Sequence, residues 1–270
     1  MSKSAHLLAI DDEQVILDSI VKLCSVEEWQ VDAVLSAEEG LKKLHHHSYD
    51  LIICDIMMPD MDGFEFLQKL KDNNIETPVI ITTGFSTVEN AVHSLYKGAI
   101  DFLPKPFTFE ELISSLSRGL KYGILNSKLS NAVFDSDSAN TSIIYVPCPP
   151  RYMRLGYTTW SFLEDDGSVR IGLTDLLLRT VESIEKINLY NLDDDIIQGN
   201  CCCTIETADQ MIHNVLAPIS GRIIKRNEQV VENYLLVEKD PYFKGWLYII
   251  VPSDLDYESR HLVPCSSDRL

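Results

Sequence analysis

The sequence predicts two domains in tandem: an α/β doubly wound five-stranded parallel sheet, then a mainly-β sandwich or flattened barrel. Three observations carry that prediction. Four apolar runs in the first half each stop at a chemistry-bearing residue: HLLAI at Asp11 and Asp12, LIIC at Asp55, PVIIT at Thr83 and AIDFLP at Lys105. Between them lie stretches with helical apolar spacing. After about residue 142 the texture changes to short alternating runs punctuated by glycine and proline. The boundaries read as a first domain over 1–125, a linker over 126–142, a second domain over 143–262 and a tail over 263–270.

In chain order, Ala5–Ile10 is the first strand, and Asp11, Asp12 and Glu13 turn the chain into a helix whose positive end Asp12 or Glu13 favours. Ile16, Ile20, Leu23 and Cys24 form that helix's apolar stripe, and Gln30–Leu35 is the second strand. Ala37–Leu44 make a second helix, ending in His45, His46 and His47, which read as surface polar residues because no Cys or carboxylate partner lies near. Leu51, Ile52 and Ile53 suit a strand buried on both faces. Met57, Met58 and Pro59 lead out of it, and Asp62 and Gly63 supply a turn that tolerates positive φ before a helix over Phe64–Leu70. A strand over Val79–Thr83, a helix over Val88–Tyr96 stopped by Gly98, and a strand over Ile100–Leu103 complete the alternation. Thr108 caps the last helix, Phe109–Leu125, with Glu111 three residues on, and Leu112, Ile113, Leu116 and Leu120 face inward. NSKLSNAVFDSDSANTS, poor in large apolar residues, reads as the linker, its first part able to extend the helix.

Open α/β sheets place their chemistry at the carboxyl ends of their strands, so the four termini would gather three carboxylates, a hydroxyl and an ammonium into one pocket. Asp55, delivered by the central strand, is the leading candidate for a reactive group. Crowded carboxylates repel when ionised and readily bind a hard divalent cation; Mg²⁺ prefers oxygen ligands and keeps some of its waters. Asp12 and Asp55 would be direct ligands, with Asp11 helping through water.

This set resembles the receiver domain of bacterial two-component response regulators over about residues 5–122: the acidic pair, Asp55 followed by MMPDMDG, the Thr83-Gly84 step, Phe102 and the Lys105-Pro106 pair fall in that family's order and spacing. The resemblance implies a flavodoxin-like receiver that accepts a phosphoryl group on Asp55 from a sensor histidine kinase or phosphotransfer protein, with Mg²⁺ as cofactor. It implies that the Met57 carbonyl joins Asp11, Asp12 and Asp55 around the metal, that Lys105 and Thr83 bind phosphoryl oxygens, and that Phe102 reorients as a switch. It further implies a cis Lys105-Pro106 bond and a possible homodimer through the face of the fourth helix, fifth strand and fifth helix. Such a protein is a phosphoacceptor in signalling rather than an enzyme.

In the second half, YTTWSFLE and SVRIGLT flank Asp165-Asp166-Gly167, a hairpin signal, and short strands continue through IEKINLYNL, CCCTIET, LAPISGRIIKR and GWLYIIVP. Trp160 and Trp246 read as core. Asp193, Asp194 and Asp195 read as a solvated loop. Tyr157–Trp160, GLTDLLL, IETADQM, APISGRIIKRN and EKDPYFKGWLYII are similar in order and spacing to the glycine cleavage system H-protein, a lipoyl-domain relative, over about residues 143–258. That family carries lipoate on a lysine in a hairpin turn. Counting from Glu206 puts Asp209 at that position, and counting back from Pro218 and Gly221 puts Gln210 there. Neither side chain can form the amide, and Lys186 and Lys225 lie outside the turn, so no lipoate is expected. In Cys201-Cys202-Cys203, strand alternation sends Cys202 to one face and its neighbours to the other. As small hydrophobes they need no role, and a redox or metal role with His213 would require Cys201 and Cys203 on the exposed face.

With 41 acidic against 23 basic residues, the net charge of −18 argues against nucleic acid as a partner. No apolar run approaches the roughly 18–20 residues that span a bilayer, and the start, MSKSAHLL, has no secretory apolar segment, so a cytoplasmic protein without a membrane partner is expected. Seven cysteines in such a chain suggest reduced thiols. The combined reading is a response regulator whose non-lipoylated H-protein-like domain signals to an unknown output protein by contact. Two alternatives stay open: a regulated carrier or subunit in glycine-cleavage or lipoate metabolism, and a second domain that only dimerises the receivers.

Overall fold

The computed structural model describes residues 4–84, 87–134 and 145–266. The chain forms two compact units, residues 1–87 with 97–136 and residues 88–96 with 137–270.

The first half alternates strand and helix: β1 His6–Ile10, α1 Gln14–Cys24, β2 Gln30–Val34, α2 Ala37–His46, β3 Leu51–Asp55, α3 Gly63–Asp72, β4 Val79–Thr83, α4 Val88–Lys97, β5 Asp101–Pro104 and α5 Phe109–Phe134. The five strands form one parallel sheet in the order β2-β1-β3-β4-β5. All five residues of β3 and of β4 are buried, as strands covered on both faces must be. Side chains alternate between the faces: Leu8, Ile10, Ile52, Cys54 and Ile81 join Phe66, Leu67 and Leu70 of α3 in one core cluster. On the other face Gly119 of α5 lies so close to Leu51 that an added Cβ would stand 2.8 Å from its methyl carbon.

Local chemistry accounts for the helix starts. Asp62 caps α3 by accepting the Glu65 amide at 2.8 Å, and Glu65 returns the bond to the Asp62 amide. Thr108 and Glu111 make the same reciprocal box at the start of α5, through bonds of 2.9 and 3.2 Å. Two expectations differ from the structure. The buried stripe of α1 is Leu17, Ile20 and Cys24, with Ile16 and Leu23 only partly covered. The positive φ in the loop after β3 belongs to Asp60, at 66°, and Gly63 is instead the first residue of α3. Helix α5 runs on to Phe134, so the first part of the stretch read as linker does extend the helix; residues 135–142 lie outside the described residues.

The second half consists of β6 Met153–Leu155, β7 Thr159–Leu163, β8 Val169–Leu173, α6 Asp175–Leu178, β9 Ile184–Leu189, β10 Asp195–Ile196, β11 Cys201–Thr207, β12 Ile212–Leu216, β13 Gly221–Arg226, α7 Glu228–Glu232, α8 Leu235–Lys239, β14 Trp246–Pro252, α9 Leu255–Glu258 and β15 Val263–Pro264. Seven strands pair in the order β10-β13-β14-β8-β7-β6-β15, and a second sheet runs β12-β11-β9. The expected hairpin joins β7 to β8, with Gly167 at φ 84° closing the turn onto the Glu164 carbonyl. Val263 and Pro264, placed by the sequence reading in a tail, pair with Arg154 and Met153 as a sheet edge.

Trp160 is fully buried, and its indole nitrogen donates to the carbonyls of Leu173 at 2.8 Å and Pro241 at 3.2 Å. Trp246 is only partly buried, with the Lys225 ammonium 5.6 Å from its ring centre. The Trp160 ring lies against Gly172, where a Cβ would stand 2.5 Å from the indole. Gly172→Ala should therefore lower unfolding stability by about 1–3 kcal/mol through overpacking, measured as an earlier urea transition, with wild-type stability overturning this account.

Candidate functional site

The parallel register brings the carboxyl ends of β1, β3, β4 and β5 to one edge. Asp11 follows β1 and is 1% exposed; Asp55 ends β3 and is 3% exposed. Two unscreened carboxylates there would repel, and Lys105, just past β5, answers them. Its ammonium donates to Asp11 Oδ2 at 2.5 Å and to Asp55 Oδ1 at 2.7 Å, with the lysine side chain itself 9% exposed. The Lys105 amide donates to the Thr83 carbonyl at 2.8 Å, which ties the end of β5 to that of β4. The Lys105-Pro106 bond is cis, as the resemblance implied.

The remaining carboxylate oxygens take backbone amides. Asp55 Oδ2 accepts from Met57 at 2.6 Å, and Asp11 Oδ1 accepts from Glu13 at 3.0 Å. Burial is the largest influence on Asp11 and lifts its carboxyl above the usual range, against the lowering effect of Lys105 and the Glu13 amide. Burial also works against the Lys105 ammonium, but its bonds to Asp11 and Asp55 outweigh it and hold the pKa above the ordinary lysine value.

Gly63 is required by close approach. A Cβ there would stand 2.4 Å from the Asp55 carbonyl oxygen and 3.0 Å from Ile56 Cα, both backbone atoms. The Gly63 amide donates to the Ile56 carbonyl at 3.0 Å, so the start of α3 seats directly on the residue after Asp55.

The structure thus brings Asp11, Asp55 and Lys105 into direct contact. Asp12 is exposed next to Asp11, Met57 is 55% exposed after β3, and Thr83 is fully buried at the end of β4. Phe102, in β5, is half-buried against the core that holds Cys54 and Ile81. Among the described residues no three His, Cys, Asp or Glu side chains are grouped to hold a metal. The donor chemistry nevertheless suits Mg²⁺: two carboxylates, Asp12 and Asp55, and the Met57 carbonyl are hard oxygens, and Mg²⁺ fills its other positions with water. Thr82, for which the sequence analysis assigns no role, lies opposite Asp55 in the β3–β4 register, and its buried hydroxyl has no hydrogen-bond partner among the described residues. The signal for it is the doubled threonine, which sends one hydroxyl to each face of the sheet.

In the second half, Asp209 and Gln210 lie in the turn between β11 and β12. Asp209 closes that turn by accepting the Thr207 hydroxyl at 2.5 Å and the Met211 amide at 3.4 Å, and Gln210 takes φ 65°. Burial opposes the Asp209 charge, but these two donors and nearby His213 hold its carboxyl below the usual range. Lys186 stands across β9–β11 from Glu206, at 3.3 Å, outside the turn. A bulge between Cys201 and Cys203 breaks the expected alternation: Cys202 and Cys203 are both buried. His213 is buried with its Nε2 3.3 Å from the Thr207 hydroxyl. The exposed Cys201–Cys203 pair that a metal or redox role required is not formed.

Residues 7–117 match the family model of the response regulator receiver domain, and residues 152–266 match that of the glycine cleavage H-protein. The chain therefore carries a receiver domain followed by an H-protein-like domain. Similar proteins include the transcriptional regulatory protein HprR of Escherichia coli K12, 36% identical over 138 residues, 51% of this chain and 61% of that protein. Another is the transcriptional regulatory protein TrcR of Mycobacterium tuberculosis, 33% identical over 115 residues, 43% of this chain and 44% of that protein. The chain thus spans about half the length of these relatives. A solved glycine cleavage system H protein from Mycobacterium marinum is 24% identical, with a TM-score of 0.37, over 39% of this chain and 87% of that one.

Lys105→Met would leave Asp11 and Asp55 facing each other without a counter-charge, at an expected cost of about 3–5 kcal/mol in unfolding stability at pH 7. Burial raises the Asp11 pKa and Lys105 lowers it, so removing Lys105 raises it further; the unpaired Asp11 charge that costs the variant stability is then neutralised as pH falls. The deficit of the variant should accordingly shrink in urea melts as pH is lowered from 7, and a deficit independent of pH would contradict this assignment.

Proposed function

We propose that the protein is a response regulator of a two-component phosphorelay, accepting a phosphoryl group on Asp55 with Mg²⁺ and signalling through contacts of its non-lipoylated H-protein-like domain. The observation that carries this reading is the Asp55 carboxylate, held at the end of β3 between the Lys105 ammonium and the Met57 amide. An Asp55 oxygen attacks phosphorus as the bond to the donor histidine breaks, leaving an acyl phosphate on Asp55. Phosphoryl transfer of this kind depends chiefly on positioning and on stabilising charge that spreads over the equatorial oxygens. Lys105, already at Asp55, meets one of those oxygens; the Thr83 hydroxyl and loop amides meet others. Asp12, Asp55 and the Met57 carbonyl would hold the metal, with Asp11 helping through water. When bound, Mg²⁺ neutralises part of the charge that would otherwise accumulate among three acidic residues.

Phe102 and Thr83 are the proposed switch. A phosphoryl group can move the pre-existing equilibrium only by as much as it prefers the active arrangement. The relatives named above are transcriptional regulators, but the output proposed here is a protein contact: residues 152–266 match the H-protein, and a net charge of −18 disfavours a phosphate backbone. A cytoplasmic location follows from the proposed kinase partner; among the described residues no helix is long and apolar enough to cross a membrane.

Incubation with acetyl phosphate and Mg²⁺ should add one phosphoryl group to the wild type and none to Asp55→Asn, read by intact mass; equal labelling of the variant would refute the reading. Expression with a lipoate ligase should leave the mass unchanged, because the β11–β12 turn carries Asp209 and Gln210 in place of a lysine. A lipoyl-sized increase would favour the carrier alternative instead.

A further inference from the structure

Two cysteines far apart in sequence meet in the second domain. Cys148 and Cys265 are 2% and 0% exposed, and their sulfurs stand 2.6 Å apart. The two side chains are therefore within reach of one another for a disulfide.

The backbone places the pair as firmly as the side chains do. The Cys265 amide donates to the Tyr152 carbonyl at 3.0 Å, which continues the β6–β15 ladder by one residue. A turn closed by the Tyr152 amide on the Pro149 carbonyl brings Cys148 back toward that point. The segment before Cys148 is anchored in turn: the Val146 amide donates to Asp175 at 2.6 Å, and the Val146 carbonyl accepts from the Tyr242 hydroxyl at 2.8 Å. Cys148, Cys265, Tyr152, Trp160 and Tyr242 form one buried cluster.

We propose that Cys148 and Cys265 are a redox-modification site, forming a reversible disulfide that ties the residue after β15 to the segment leading into β6. The oxidant is a small-molecule disulfide. One cysteine thiolate attacks a sulfur of the oxidant, breaking its S–S bond and releasing one small thiol. The other cysteine thiolate then attacks the protein sulfur of this mixed disulfide, forming the Cys148–Cys265 bond and releasing the second small thiol. The two protein thiols lose two electrons and two protons, and the oxidant takes up both. Access comes from opening of β15, a two-residue strand whose ladder to β6 continues only through the Cys265 amide. The bond closes a loop spanning 117 positions of sequence, so it removes much chain freedom from the unfolded state.

The other cysteines are less suited. Adjacent residues such as Cys201, Cys202 and Cys203 make poor partners for one another, and Cys24 and Cys54 lie buried in the first half.

The test is to equilibrate the full chain in glutathione buffers of increasing oxidised fraction, quench in acid, alkylate in denaturant and digest without reductant. A cross-linked peptide pair containing Cys148 and Cys265 is expected, with five of the seven cysteines alkylated and the urea transition of the second domain moved to higher concentration. Seven alkylated cysteines across the series, glutathione adducts alone, or a different pairing would overturn the proposal. Cys148→Ala and Cys265→Ala should each abolish the cross-link. Because either variant could unfold this buried cluster, the wild-type peptide map decides the matter by itself.

Discussion

One ammonium between two buried carboxylates organises the carboxyl edge of the parallel sheet. Asp11, Asp55 and Lys105 come from three different strands, and each alone would be a poor choice at such a buried position. Burial without a partner costs an ionised group several kcal/mol, so the three are tolerable only together. The sheet order makes this possible by putting β3 beside β1 and β4 between β3 and β5, so that a lysine one residue past β5 reaches across β4 to both acids. The Lys105 amide, tied to the Thr83 carbonyl, sets the height at which it does so.

The same arrangement fixes the orientation of the buried Asp55 carboxylate. Each Asp55 oxygen already has a donor, Lys105 on one side and the Met57 amide on the other, so the carboxylate is oriented before any phosphoryl donor arrives. Under the proposed chemistry Lys105 changes partners without changing charge state, from two carboxylates to a carboxylate and a phosphoryl oxygen. Little reorganisation is needed at the moment of transfer, which is the condition under which fixed charges stabilise a transition state best.

What the sequence makes legible follows from how local each cause is. Strand ends, caps and the hairpin at Gly167 are written in neighbouring residues, and Asp11, Asp55, Thr83 and Lys105 could be placed on one edge from strand order alone. The need for glycine at position 63 is not legible in the sequence, because its closeness to the Asp55 carbonyl is an approach between non-adjacent backbone atoms that composition does not record. The bulge in β11 likewise follows from its pairing with β12, and it buries Cys203 where strict alternation would expose it. Strand β15 was invisible for a similar reason: two residues carry no periodicity, and their partner lies more than a hundred positions earlier. The extension of α5 to Phe134 shows that a polar composition does not by itself end a helix.

The two residues at the tip joining β11 to β12 play different parts in the turn. The Asp209 carboxylate is part of the turn's own scaffold, bonded to Thr207 and Met211, whereas Gln210 contributes a backbone bond to Thr207 and leaves its side chain exposed. An amine introduced at the second position would leave that scaffold standing, while one at the first would dismantle it. A change of side chain at Gln210 would thus meet solvent and leave the turn in shape, whereas a change at Asp209 would remove two of the bonds that shape it.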